Sequence, residues 1–280
     1  MSRVAVIGNL ARDRIDGGPA QPGGCPFFAS IAFSMLGRRG QILTRCSASD
    51  RVLFEEGLPE RGAPVTMLPS EYTSGFDHAY EGETRKTTVT SIGDPWSPAD
   101  AVHLDQDVTW VHVAPLLRSD FPPDTLAALA GGGRRVSLDA QGLVRESRLG
   151  PLEQNAAFDP AVLRKVSVLK LSEEEARIVA GGRFAGDTAR ALGLDEILVT
   201  LGSRGEEVWL SGRVTRLPTT PILGVETTGA GDAFMVGYAT ARTEGRSPLD
   251  AAVEASALVA RMLIERKRRP AGSRRTPSPR

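Results

Sequence analysis

Cysteine and histidine are both scarce in this chain, and each scarcity narrows its chemistry. Two cysteines in 280 residues, Cys25 and Cys46, make no disulfide framework. Both lie in or beside apolar runs, where a buried free thiol is the default. The three histidines, at 78, 103 and 112, show no metal-ligand spacing, and no Ser-His-Asp set emerges. His112 sits in an apolar strand pattern and is expected as a satisfied core residue. No apolar run reaches the roughly 18 residues that span a bilayer. The opening MSRVAVIGNL reads as a strand, without the h-region and cleavage site of a signal peptide. A cytoplasmic location and no membrane partner follow by elimination. The first strand runs into GNLARD rather than GxGxxG, which argues against a dinucleotide-binding oxidoreductase. No glycine loop ends in Gly-Lys-Ser/Thr, so there is no Walker A site.

Net charge is absent as well, since 34 Lys and Arg balance 34 Asp and Glu. The balance hides an asymmetry. Residues 266–280, RKRRPAGSRRTPSPR, hold seven basic residues and no acid, which leaves 27 basic against 34 acidic in the remainder. A body of net charge about minus seven is no nucleic-acid platform. The terminal stretch has no apolar residues to bury and reads as a disordered basic tail. The hydrophobic fraction of 41% suits a single large α/β domain over residues 1–265.

Within that body, short β-branched runs recur at Arg3–Gly8, Gln41–Arg45, Thr109–Val113, Arg135–Asp139, Ser167–Leu171 and Glu196–Thr200. Helical patterns at Asp124–Ala130, Glu173–Ala180 and Asp187–Leu192 fall between them. Such alternation predicts a mostly parallel sheet covered on both faces, with ligands beyond the carboxyl ends of its strands. Pro26–Leu36 is apolar nearly all round and stops at Gly37, which predicts a buried helix. Tyr72–Ile92 mixes Thr, Tyr, Phe and Val with charges around Gly82 and reads as an exposed hairpin. Glu206–Leu210 and Arg213–Leu217 form a hairpin over Ser-Gly. Ala230–Glu244 and Pro248–Arg266 are the final helices, and Asp16–Gly24 is a loop by composition.

The strongest chemical signal is ETTGAGDAF at 226–234. Glycines let a backbone approach an anion closely, and a new helix presents N–H groups and a positive dipole end there. The turn is suited to hold a phosphate, or charge that develops during transfer. Asp232 beside it could take a proton from an attacking hydroxyl, or be only a helix-start acid favoured by the dipole.

This motif resembles the C-terminal signature of ribokinase-like (PfkB) carbohydrate kinases, D-T-x-G-A-G-D. Gly23–Gly24 before an apolar helix ending at Leu36–Gly37 resembles the family's first signature. Ser172–Glu175 (SEEE) is similar to its Asn-x-x-Glu magnesium motif, and Thr200–Gly205 (TLGSRG) to its nucleotide-binding turn. The resemblance implies a ribokinase-like three-layer α/β/α sandwich with a small, reduced β lid, ATP and Mg²⁺ as cofactors, and phosphoryl transfer to a small sugar, polyol or nucleoside. Asp232 would be the base, and the backbone of Gly229, Ala230 and Gly231 the anion hole. Asp13, Gly23, Gly24 and Phe28 would meet the acceptor, with a plain solvated loop acid as the other reading of Asp13. Lys170, Ser172, Thr200, Gly202, Ser203, Gly205 and Thr228 would serve the nucleotide, and Glu175 the magnesium. Asp139–Arg145 (DAQGLVR) resembles D-x-Q-G-x-x-R of the inositol- and nucleoside-kinase-like branch, placing Gln141 and Arg145 near acceptor or phosphate, with a plain strand-end turn as the other reading. Arg85 and Lys86 could reach an anionic acceptor or form a solvated hairpin face.

The departures define the alternatives. Glu226 replaces the family's Asp and leaves open any monovalent-cation site built there. Ser172 replaces Asn, and Phe28 an acceptor-contacting Asn; Phe27 and Phe28 read as core or as an apolar wall. For Glu173–Glu175 an ordinary acidic first turn capped by Ser172 competes with the metal role. A non-catalytic sugar- or nucleotide-binding homologue therefore stays open. Only nine residues separate Asp13 from Gly23, too few for a strand pair, so the lid is expected mainly from residues 72–92. A lone hairpin is marginal, so the lid is expected to pack on the body or on a second subunit, the latter as a homodimer through the lid.

Overall fold

In a computed structural model describing residues 3–37, 40–59, 62–82 and 84–268, two sheets divide the work. Chain order begins β1 (Arg3–Asn9), β2 (Ala11–Ile15), β3 (Gln21–Gly23), α1 (Cys25–Leu36), β4 (Gly40–Cys46), α2 (Arg51–Glu55), β5 (Val65–Pro69), β6 (Ser74–Glu81), β7 (Thr84–Ser91) and β8 (Val108–Val113). It continues α3 (Pro123–Leu129), β9 (Arg135–Asp139), α4 (Gln141–Val144), β10 (Gly150–Pro151), β11 (Val168–Ser172), α5 (Glu173–Ala180), α6 (Gly186–Ala191) and β12 (Glu196–Thr200). It ends β13 (Glu206–Leu210), β14 (Arg213–Leu217), α7 (Ala230–Thr243) and α8 (Pro248–Arg268).

The large sheet runs β14-β13-β12-β11-β9-β8-β1-β4-β5, parallel from β12 to β5, with β13 and β14 antiparallel at one edge. The period of two along each strand sends alternate residues to opposite faces. Val4 and Val6 pack with α1, α7 and α8, whereas Ala5 and Ile7 pack with α3, α5 and α6. Both faces are thus buried, as the continuous apolar runs required. Helix α1 starts with Pro26 in its first turn and ends at Gly37, whose left-handed φ of 60° lets its N–H reach the Phe33 and Ser34 carbonyls. The three-layer α/β/α sandwich expected from sequence is the observed architecture.

The lid departs from expectation. It is a five-stranded sheet, β10-β7-β6-β2-β3, and the residues between Asp13 and Gly23 do hold a strand pair. β2 and β3 are antiparallel, with Asp13 opposite Gln21, and β2 then lies parallel to β6. Pro22 is tolerated because β3 is an edge strand. Ala11, Phe76 and Val89 from the lid pack on Leu116 and Leu117 of the body, so the lid has its own small core. The basic end also differs: α8 runs through Arg268, so residues 266–268 are helical rather than tail. The rest of the predicted tail lies outside the described residues. Among the described residues no helix is long and apolar enough to cross a membrane.

Candidate active site

The carboxyl ends of the parallel strands open toward the lid. β1 passes through Leu10 into β2 and carries Asp13 over this edge, while β9 ends at Asp139, β11 at Ser172 and β12 at Thr200. They border a cavity of about 950 Å³ that Asp13, Asp139, Thr200 and Asp232 all line.

The turn before α7 closes the cavity. Gly229 is the N-cap of α7 at φ 77°. A Cβ there would lie 2.3 Å from the Phe28 ring, and one at Gly231 would lie 3.2 Å from Lys170 Nζ. Glycine lets the turn fit between an aromatic wall and an ammonium group. The first N–H groups of α7 lack carbonyls of their own helix and, with the dipole, favour an anion. Asp232 is half-buried within this first turn. Burial raises its carboxyl to about 6, and Asp139 adds to the rise; Lys170 and a hydrogen bond with the Cys25 thiol oppose it. Desolvation, with Asp232 next in weight, also pushes the Cys25 thiol well above its ordinary value.

Behind Asp232 lies a buried ion pair, with Lys170 Nζ 3.0 Å from Asp139 Oδ2. Burial alone would raise Asp139, but Lys170 and then His112 hold it below the usual carboxylate range. Burial works against the Lys170 ammonium as well, yet Asp139 and Glu175 keep it above its ordinary value. Lys170, Ser172 and Thr228, assigned to the nucleotide from sequence, line this central cavity. Ser172 and Glu175 form a capping box: Ser172 N–H donates to Glu175 Oε2 at 2.7 Å, and Glu175 N–H donates to Ser172 Oγ at 3.2 Å. Glu175 is buried and still lines the cavity.

The residues expected from sequence to meet the acceptor lie under the lid. Asp13 Oδ1 is buried without a hydrogen-bond partner, and burial raises the carboxyl to about 6 against the pull of Arg145 and Arg85. Gly23 backs this carboxylate, since a Cβ there would lie 2.1 Å from Asp13 Oδ2. Gly24 lines the cavity at φ 85°. Gln141 and Arg145 line it too, and Arg145 Nε is buried without a partner. Phe28 lines the cavity while Phe27 packs with Leu10, Cys46 and Phe54, so the two aromatics divide between wall and core. Arg85 reaches the cavity, but Lys86 points away to pair with Glu81 at 2.7 Å. His112 departs from the expected satisfied core residue: Nδ1 sits 3.1 Å from Ser137 Oγ, but Nε2 has no partner.

A second cavity of about 380 Å³ opens on the far side of the turn. Thr200, Gly202, Ser203 and Gly205 form one wall, and Ile222, Phe234, Val259 and Leu263 make the other largely apolar. Gly205 is required there, because at φ 93° a Cβ would lie 2.1 Å from the Leu217 carbonyl oxygen. Thr200, Thr227 and Gly231 line both cavities, so the two meet at the glycine turn.

Sequence reasoning missed several residues of the site. His78, Tyr80 and Thr87 line the lid side. Burial, then Arg85 and Arg145, lowers the His78 imidazole to about 4, and its Nδ1 lies 3.0 Å from Thr87 Oγ1. The alternation Phe76, His78, Tyr80 along one strand was the available signal. Cys25 beside Asp232, and the wall of the second cavity at 219–222, carried no motif.

Comparison with known proteins agrees with this geometry. The pfkB family carbohydrate kinase profile matches residues 138–271. A fructokinase of Klebsiella pneumoniae is 32% identical over 260 residues, which cover 84% of this chain and 82% of that protein. An inositol 3-kinase of Oryza sativa subsp. japonica is 33% identical over 199 residues, 68% of this chain but 47% of that longer protein. Among solved structures, a pyrophosphate-dependent kinase in the ribokinase family, complexed with a pyrophosphate analog and myo-inositol, superposes with a TM-score of 0.79 at 22% identity, covering 93% of this chain and 95% of that one. The fructokinase match spans most of both proteins and the family profile includes the glycine turn, and on that basis the chain belongs to the pfkB family of carbohydrate kinases.

Proposed function

We propose that this chain transfers the γ-phosphoryl group of ATP to a hydroxyl of a ring-shaped polyol or sugar, with Asp232 as general base. The carrying observation is the meeting of two cavities at one glycine turn, with a carboxylate on the acceptor side. Phosphoryl transfer needs little covalent help from a protein; it needs in-line positioning and a field for the migrating charge. The turn and dipole of α7 supply the field. Asp232 accepts the hydroxyl proton as the oxygen attacks.

Asp13 suits a polyol because its unpartnered Oδ1 is a buried acceptor waiting for a donor. The Phe28 face gives an apolar wall for a ring. The DAQGLVR segment and the rice relative favour an inositol-like cyclitol, and the Klebsiella relative makes fructose the second choice. The 380 Å³ cavity, with one largely apolar wall, would take an adenine ring, which a pyrophosphate donor would not require. The described residues hold no group of three or more His, Cys, Asp or Glu that could hold a metal unaided. Magnesium would therefore enter on the nucleotide phosphates, with Glu175 acting through its water shell, and would neutralise charge on the transferring group. A homodimer through the lid is proposed without the lone-hairpin argument, since the five-stranded lid packs on Leu116 and Leu117; a monomer in sedimentation at working concentration would remove it.

The test is a transfer assay with ATP and pyrophosphate as rival donors against a panel of cyclitols, ketoses and nucleosides. Phosphorylated cyclitol or hexose with ADP release is expected. Asp232→Asn should lower kcat about a hundredfold or more while ATP still binds. Full turnover in that variant, or no product from any acceptor, refutes the reading.

A further inference from the structure

The segment that carries the anion hole has little backbone support. Twelve residues separate Leu217 at the end of β14 from Ala230 at the start of α7, with neither helix nor strand among them. Among the described backbone hydrogen bonds, only the Thr227 and Gly229 carbonyls of this stretch take part, accepting from Ala230 and Ala233. The last turn of α8 supplies the missing anchorage. Arg266 Nη1 donates to the Thr228 carbonyl at 2.6 Å and to the Glu226 carbonyl at 3.2 Å. Lys267 Nζ donates to the Leu223 carbonyl at 2.9 Å. The Arg266 guanidinium also lies 6.0 Å over the Phe28 ring, the same ring that fills the space a side chain at Gly229 would need.

Two carbonyl oxygens two residues apart that converge on one point repel each other unless a positive charge sits between them. A free monovalent ion could occupy such a point. Here a tethered guanidinium does, so the Glu226 and Thr228 oxygens do not fit a separate ion. The peptide whose oxygen Arg266 holds ends in the Gly229 N–H. A hydrogen bond to a carbonyl polarises its amide and strengthens the N–H on the other side. Arginine stays ionised at every working pH. Its charge is therefore a fixed part of the field at the anion hole, and no reorganisation is needed when the phosphoryl group moves.

We infer that Arg266 is a positioning residue, a built-in cation that holds and polarises the Thr228–Gly229 peptide in place of a free monovalent ion. The inference rests on the kinase reading for its consequence, though not for its geometry. Its consequence is turnover that ignores the monovalent cation supplied.

The experiment compares wild type, Arg266→Ala, Arg266→Lys and Arg261→Ala, the last on the exposed side of the same helix. Wild-type kcat should agree within about twofold in potassium and choline chloride at equal ionic strength. Arg266→Ala should lose about tenfold or more in kcat, with a smaller change in acceptor KM, because the contact acts mainly in the transition state. Millimolar guanidinium or potassium should restore part of that loss, Arg266→Lys should retain more activity than Ala, and Arg261→Ala should match wild type. Amide hydrogen exchange at 227–231 should quicken in Arg266→Ala, with or without substrate. Exchange unchanged from wild type, or a loss that neither cation relieves, overturns the inference. Absence of transfer by wild type sinks the kinase reading alone, since the exchange measurement still decides the role of Arg266.

Discussion

Replacing Lys170 with Met would leave Asp139 and Asp232 without the ammonium that now sits 3.0 Å from Asp139 Oδ2. Two effects follow. Stability should fall by about 3–5 kcal/mol, the usual result of orphaning one member of a buried pair. The second effect concerns catalysis. Asp232, raised to about 6, must be ionised to accept a proton, so kcat/KM should climb with pH through about 6 in wild type and level off above. Lys170 lowers that value and Asp139 raises it. If the ammonium contributes on the order of 1.4 kcal/mol to ionising Asp232, its loss moves the climb up by about one pH unit. Asp139→Asn removes the opposing charge and should move the climb down, toward the ordinary carboxylate range. The assay is kcat/KM from pH 5 to 9 at saturating donor, with far-UV circular dichroism confirming folded protein. Displacement of both variants in one direction, or of neither, would refute the account of Asp232 as a base tuned by this cluster.

Two further outcomes can be measured directly. Gly229→Ala must either leave φ 77° or displace Phe28, so kcat should fall about tenfold or more while the melting temperature drops by only a few degrees; an active variant would show the turn is more plastic than its geometry implies. Asp120 accepts from the Leu116 and Leu117 N–H groups through Oδ2, leaves Oδ1 unpartnered, and is pushed up to about 7 by burial. Because the folded value exceeds the unfolded one, its contribution is most favourable below about pH 4 and is lost as pH rises to about 7. Asp120→Asn keeps an acceptor for both N–H groups, so its melting temperature should gain on wild type across that range; parallel curves would contradict this.

The central sheet was legible because parallel strands buried on both faces leave unbroken β-branched runs. The lid pair β2–β3 was not. ARDRI and QPG are short and largely polar, and the neighbour that turns them into a sheet, β6, lies about sixty residues further along. Glycine turns announce themselves locally, which is why ETTGAGDAF and TLGSRG led to the two cavities. Arg266 did not, since its partners lie 38 and 40 positions away and its neighbours in sequence spell a solvated tail. Phe27 and Phe28 show the same limit: adjacent aromatics look alike in sequence, and only the helix's rotation sends one to the core and the other to the cavity.

Two of the crossings between body and lid flank the β2–β3 pair. The chain leaves the body through Leu10 alone, between β1 and β2, and returns through Gly24 alone, between β3 and α1. These joints touch: a Cβ on Gly24 would lie 2.6 Å from the Asn9 carbonyl oxygen and 3.1 Å from the Ala11 nitrogen. Rocking of β2 and β3 about these adjacent joints would have to carry β6 with it, since β2 pairs with β6, and would swing Asp13 through an arc above Asp232. Gly24 thereby sets the radius of that arc as well as the room beneath it.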